Sequence, residues 1–210
     1  MQYVREREPL FITRDQGYIG VMVDDLTTKG TDEPYRMMTS RAEHRLFLRQ
    51  DNADLRLTAR AHALGLATDA RMHRMEEKAR QTQELIDLLK STRRDAVLRH
   101  PGNTIDALLD DPSAFTPGAR QQAEIQIKYE GYLQKEQAAI LKARAMEEKR
   151  LPEDTPYLQI EGLRMEARQK LSAQRPQSLA QAGRIPGVSP ADVAVLMVWL
   201  KKYERENKTT

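Results

Sequence analysis

From Thr68 to Arg150 apolar residues recur at helical spacing, and the run is broken only around Pro101-Gly102-Asn103 and Thr116-Pro117-Gly118. Such a stretch commits much of the chain to amphipathic helices, because a period of about 3.6 residues does not keep one face of a strand apolar. Thr68 is placed to cap a long helix whose stripe includes Met72, Met75, Ala79, Leu85, Leu88 and Leu89. TIDALLDD reads as a short helix capped by Thr104, and TPGAR opens another that is expected to run from Ala119 to about Arg150. At about 1.5 Å per residue that spine would reach roughly 48 Å. A domain of this size cannot bury it along its whole length, so part of it is left for partners. With three Phe and one Trp in 210 residues, an aromatic-rich β-sandwich is disfavoured.

Leu151-Pro152 stops the spine and EDTPY links it to a small helical bundle. In that bundle Ser178 and Ser189 are expected N-caps, with Pro190 at the first helical position. SLAQAGRIPGVSPADVAVLMVWLKK leaves two readings open. One is a helix-hairpin-helix whose second helix holds a phosphate on its N-terminal N–H groups. The other is an ordinary αα-hairpin. The second helix has two apolar stripes, Val193, Leu196, Met197 and Leu200 against Val195, Val198 and Trp199. A helix apolar on two sides is buried on both or meets a protein partner.

Upstream, a helix is expected over Tyr18–Thr28, with Ile19, Met22, Val23 and Leu26 on one face and Gly30 ending it; Thr58 is expected to cap a short helix that ends at Gly65. The fold class is therefore mainly α: a multi-helix domain with one long spine helix and a small terminal bundle, preceded by an extended or short-strand arm. The expected divisions are an arginine-bearing arm over 1–58, a helical domain over 59–150 and a C-terminal helical subdomain over 151–210.

Arg36, Arg41, Arg45, Arg49 and Arg56 crowd into one short stretch of that arm. As a strand, residues 41–49 put Arg41, Arg45 and Arg49 on one face and Ala42, His44, Leu46 and Leu48 on the other. As a helix the same three arginines still align, at a spacing of four. The alternation favours the strand. Either the arginines pair with Glu43, Asp51 and Asp54 on the surface, or their planar donor forks meet phosphate, with Tyr35 and Phe47 able to stack an unpaired base. Arg184 in the hairpin and Lys201 and Lys202 in the last helix are further candidates for nucleic acid. For the two lysines the alternative is a favourable interaction with the helix dipole.

The absence of cysteine excludes disulfides, zinc–thiolate sites and a cysteine nucleophile. No G-x-G-x-x-G, phosphate loop or nucleophile elbow occurs, so the chain by itself is expected to be inactive. Asp24-Asp25 and Asp110-Asp111 read as solvated helix-end charges. No signal-peptide core opens the sequence, and Val193 to Leu200 is far shorter than the roughly 20 residues that span a bilayer. A cytoplasmic setting without membrane contact is expected. The net charge of +3, with its basic surplus after residue 118, is compatible with nucleic acid.

GYIGVMVDDLTTKGTDEPYRMMTSRAEHRLFLRQDNADLRLT resembles the signature of the MnmG (GidA) family, and IQIKYEGYLQKEQ and GRIPGVSPADVAVLMVWLKK resemble that family's C-terminal region. The resemblance implies a flavoprotein that uses FAD, NADH and a tetrahydrofolate one-carbon donor. With the GTPase MnmE it installs an aminomethyl or carboxymethylaminomethyl group at C5 of the tRNA wobble uridine. It implies a homodimer in the full-length parent, tRNA and MnmE as partners, and FAD held by a domain that this sequence does not match. This chain is then the end of the cofactor domain followed by the helical region. Arg36 and Arg45 match family arginines implied in tRNA or active-site function, and Glu166 matches a position implied in tRNA or partner contact; Trp199 joins it as a partner candidate. The alternative is a module that docks only the GTPase. His44 stands where the family usually has tyrosine.

Overall fold

The computed structural model describes residues 10–28 and 33–208. The expected stop at Gly30 and the first nine residues of the arm lie outside them. The described residues form nine α-helices and no strand. These are α1 (Tyr18–Thr28), α2 (Ala53–Ala63), α3 (Asp69–Ser91), α4 (Arg94–Leu98), α5 (Pro117–Lys128), α6 (Glu130–Glu147), α7 (Met165–Gln174), α8 (Leu179–Arg184) and α9 (Pro190–Lys208). The chain divides into two compact units: unit 1 holds residues 1–18 and 39–137, unit 2 residues 19–38 and 138–210.

In unit 1, α3 packs chiefly on α5 and α2. Thr68 caps α3 by accepting from the Arg71 N–H at 3.3 Å. The core joins Leu85, Ile86 and Leu89 of α3 to Leu98, Ile105, Ala119, Ala123 and Ile127. The buried stripe of α3 also takes in Gln81 and Thr82, while Ala79 and Leu88 face outward. Gln81 earns burial by accepting from the Thr116 N–H at 2.8 Å and the Thr116 hydroxyl at 2.9 Å. Thr116 in turn caps α5, whose first residue is Pro117.

Three expectations are corrected here. The strand over 41–49 is absent: Thr39–Arg41 is a 3₁₀ turn, and the His44 carbonyl accepts from the Phe47 and Leu48 N–H groups at 3.1 and 2.9 Å. No neighbouring described strand offers ladder partners, so the backbone satisfies itself locally. Burial of Ala42, His44 and Leu48 by these turns mimics strand alternation, with Leu46 exposed. The second correction is at Thr58, which lies buried inside α2 rather than capping it. That helix ends in a Schellman motif, Gly65 N–H to His62 carbonyl and Leu66 N–H to Ala61 carbonyl, both 2.8 Å. Gly65 supplies the required positive φ of 72°. Third, TIDALLDD gives only a 3₁₀ turn, Asp106–Leu108, anchored by the ion pair of Arg120 and Asp106.

The expected spine is divided at Tyr129 into α5 and α6. The Tyr129 N–H still reaches the Ile125 carbonyl, and the Leu133 N–H the Tyr129 carbonyl, each at 2.9 Å. Gly131 weakens the helix locally by about 1 kcal/mol relative to alanine. Next to the break, Glu130 is held by Lys90 of α3 at 2.8 Å and by Arg99 at 2.6 Å.

In unit 2 the small terminal bundle is as expected. Its core runs through Leu151, Tyr157, Ile160, Leu163, Ala167, Leu171, Leu179, Ala182, Ile185, Leu196 and Leu200. Ser178 caps α8 by accepting from the Gln181 N–H at 3.1 Å, and its hydroxyl donates to Glu147 at 2.5 Å. The isolated bridge between Arg150 and Ser178 is the one β-pairing among the described residues. Helix α1 has the predicted bounds, and its apolar face points outward. Val21 and Asp25 are buried, while Ile19, Val23 and Leu26 are exposed.

Candidate nucleic-acid and partner interface

The arginines of the opening stretch separate into two kinds. Arg49 and Arg56 are bonded inward in unit 1. Arg49 pairs with Asp51 at 3.1 Å and donates to Gln122 at 3.2 Å. Arg56 donates to Asn52 at 3.0 Å, to the Arg49 carbonyl at 3.1 Å and to the Gln16 carbonyl at 2.5 Å. Gln122, 1% exposed, also donates to Asp51. Burial opposes the charge on Asp51, but the hydrogen bond from Gln122 and the charge of Arg49 outweigh it and hold the carboxyl below its ordinary pKa.

Arg36 and Arg45 are the second kind. Both are exposed, and neither side chain bonds to a described residue. Arg41 is exposed too; its carbonyl accepts from Arg14, which pairs with Glu43 at 2.7 Å. Turns, not a strand face, present Arg41 and Arg45. His44 is buried, the placement of a packing side chain.

Arg184 of unit 2 sits between Asp24 at 2.9 Å and Glu147 at 2.6 Å, and only its Nε lacks a partner. Two carboxylates take up its charge. Asp24 and Asp25 are thus not solvated helix-end charges, since Asp25 is buried and accepts from the Tyr35 hydroxyl at 2.9 Å. Lys201 is exposed, and Lys202 lies 4.0 Å from Glu206 across open surface. Trp199 is half-buried against the bundle core and stacks on Tyr203, with centroids 5.3 Å apart, whereas Val198 is 69% exposed.

The hairpin turn carries a clasp that was not singled out in the sequence. Ser189 and Asp192 exchange bonds as in a capping box: the Asp192 N–H donates to the Ser189 hydroxyl at 3.3 Å, and the Ser189 N–H donates to Asp192 at 2.8 Å. Arg164 then donates to Asp192 at 2.7 Å and to the Gly187 carbonyl at 2.9 Å. The hydrogen bond from Arg164 comes first, and with Ser189 it overcomes burial and depresses the Asp192 carboxyl well below the usual range. The N-terminus of α9 is therefore satisfied by an internal anion, which favours the ordinary αα-hairpin. Glu166 is exposed in the first turn of α7 and lies over Gly187: a Cβ there would come 2.5 Å from its Oε1. The S-x-x-D spacing of residues 189–192 was the available signal.

Unit 1 also contains a groove of about 540 Å³ lined by Phe47, Arg49, Lys90, Glu130 and several glutamines. The glutamines were likewise passed over; Gln122 and Gln126 are spaced by four, Gln134 and Gln137 by three.

By fold and surface the described residues form a helical module in which some arginines are displayed and others are internalised. Two family descriptions match it in succession. "tRNA modifying enzyme MnmG/GidA C-terminal helical domain" covers residues 69–137, and "tRNA modifying enzyme MnmG/GidA C-terminal helical bundle" covers 139–210. The chain belongs to the MnmG/GidA family and corresponds to its C-terminal helical region. It is 42% identical to the tRNA uridine 5-carboxymethylaminomethyl modification enzyme MnmG of Caldicellulosiruptor saccharolyticus, over 98% of this chain and 37% of that protein. The MnmG of Flavobacterium psychrophilum is 43% identical over 94% of this chain and 37% of its own length. GidA of Aquifex aeolicus in its form II crystal superposes with a TM-score of 0.77 at 35% identity, covering 95% of this chain and 35% of that one. The chain thus spans little more than a third of the relatives it matches. No helix among the described residues is long and apolar enough to cross a membrane.

Proposed function

We propose that this region holds tRNA and docks the GTPase MnmE for the parent enzyme, which modifies C5 of the wobble uridine in the cytoplasm. One observation carries the RNA half of this reading. Arg49 and Arg56 are consumed by the fold, whereas Arg36 and Arg45 are exposed without a side-chain bond to any described residue. Guanidinium groups left in that state suit phosphate oxygens, which they meet in bidentate geometry. Arg41, Lys201 and Lys202 add exposed charge to the same reading. Arg49 and Arg184 act in it as scaffold.

The sequence has no G-x-G-x-x-G turn of the kind that cradles a dinucleotide's pyrophosphate. FAD and NADH belong in this reading to the remainder of the parent protein, and the homodimer to the full-length parent. Partner docking is supported by exposed Val198 next to Trp199 and by Glu166 standing over the hairpin turn.

The test is tRNA binding and wobble modification by the full-length parent with Arg36→Ala and Arg45→Ala. Affinity is expected to fall, and the slope of log affinity against log salt to flatten by about one per arginine removed. Unchanged affinity with unchanged modification would reject the RNA role and leave the protein-docking reading.

A further inference from the structure

The groove of unit 1 has no part in the reading above. It lies among α3, α5 and the start of α6, and its volume of about 540 Å³ falls within the roughly 300–1,000 Å³ of small-ligand sites. Phe47, Leu55, Ile86, Ile127 and Leu133 give it an apolar surface. Gln126 of α5 and Gln134 and Gln137 of α6 line it as well, and their carboxamides bond to no described residue. Each carboxamide sets an acceptor oxygen beside two donor hydrogens. Gln134 and Gln137 are exposed and Gln126 is partly buried, and the edge of a nucleobase offers the alternation that complements them.

Charge narrows the ligand further. Arg49, Arg56 and Lys90 line the groove against the single carboxylate of Glu130. Lys90 is paired with Glu130 at 2.8 Å and Arg49 with Asp51 at 3.1 Å, which leaves Arg56 as the lining cation without a carboxylate partner among the described residues; its charge favours an anion. The wall is also fixed in advance: Gln122, almost wholly buried, accepts from Arg49 at 3.2 Å and donates to the Asp51 carbonyl at 3.1 Å.

We infer that this groove is a nucleotide site. The base lies on the apolar surface with its edge toward Gln126, Gln134 and Gln137, and the phosphate lies toward the arginine–lysine rim. The ligand is a free nucleotide or an unstacked nucleotide of an RNA strand, since both present the same chemistry. The inference is independent of Arg36 and Arg45, which do not line the groove.

The experiment titrates the chain at low salt with uridine and adenosine 5′-monophosphate and, separately, with a short single-stranded RNA carrying 2-aminopurine. It reads amide chemical shifts in α3, α5 and α6 together with 2-aminopurine fluorescence. Saturable shifts centred on the groove are expected. Gln126→Leu and Gln134→Leu, at positions outside the buried core, should each weaken binding by about fivefold, the loss of one neutral hydrogen bond. Gln137→Lys at the exposed rim should tighten it, which keeps the test decisive if a leucine variant folds poorly. Binding of the monophosphates identifies a free nucleotide; binding of RNA alone identifies a strand. The inference is overturned if neither probe shifts the groove or if the double leucine variant binds unchanged. Loss of tRNA affinity in the Arg36 and Arg45 variants without any groove shift would leave the proposed function standing and this site rejected.

Discussion

Unit 2 is closed mainly by hydrocarbon and unit 1 in large part by hydrogen bonds from arginine and glutamine. In unit 2, Leu171, Leu179 and Leu196 are wholly buried and meet across three helices, α7 to α9. In unit 1, Phe11 and Gln16 are fastened to α2 by Arg56 and Arg60: Arg56 reaches the Gln16 carbonyl, and Arg60 reaches the Gln16 side chain and, at 2.7 Å, the Phe11 carbonyl. The Arg49–Asp51–Gln122 clamp then ties the turns before α2 to α5. The lesson is that an arginine cluster in sequence divides into structural and displayed members, and only partners far along the chain decide which is which.

The largest expected effect tests the hydrocarbon side. Leu196→Ala should cost about 2–5 kcal/mol, read by urea unfolding followed through the fluorescence of Trp199, the one tryptophan in the chain. A cost below 1 kcal/mol would mean the bundle is not held by its core. On the polar side, Gln122→Leu should cost about 1–3 kcal/mol, because Arg49 and Asp51 lose a buried partner. Hydrogen exchange of α3 and α5 amides measures it, and a neutral result would remove the clamp from the account of unit 1.

Gly187→Ala should cost about 1–2 kcal/mol for its positive φ of 96° alone. Pairing it with Glu166→Ala in a double-mutant cycle should recover part of the loss, because the added Cβ meets that carboxylate. Acid compares the two regions directly. Asp51 and Asp192 both have folded pKa values below the unfolded value of about 3.9. Each therefore contributes stability that is fully present above that pH and lost as pH falls through the folded value. Asp192 is the more strongly depressed, so the α9 clasp should outlast the unit 1 clamp in an acid titration followed by NMR. The smallest effect is expected from Lys201→Ala and Lys202→Ala, within about 0.5 kcal/mol in thermal unfolding, as for exposed side chains generally.

Much of the helical plan could be read from local signals, because capping and periodicity are local. Thr68, Thr116, Ser178 and Ser189 cap helices as their types and positions suggest. Faces and interruptions were harder. Ile19, Val23 and Leu26 share a face of α1, but Val21 and Asp25 are the buried residues, since which face is covered depends on neighbours distant in sequence. The false strand at 41–49 has the same origin, as alternation records burial and not the presence of a pairing strand. The groove glutamines escaped notice because a solvated amide looks like any other until α5 and α6 place Gln122, Gln126, Gln134 and Gln137 along one groove.

Helix α6 carries a practical consequence for anyone who dissects this region. The matched family segments meet at residues 137 and 139, inside Glu130–Glu147. Cloning the halves apart at that junction would sever a continuous helix into stubs shorter than the roughly 12–15 residues needed for even marginal stability alone. Expression boundaries belong outside α6, and insolubility of halves cut at 138 would say nothing about whether either one can fold.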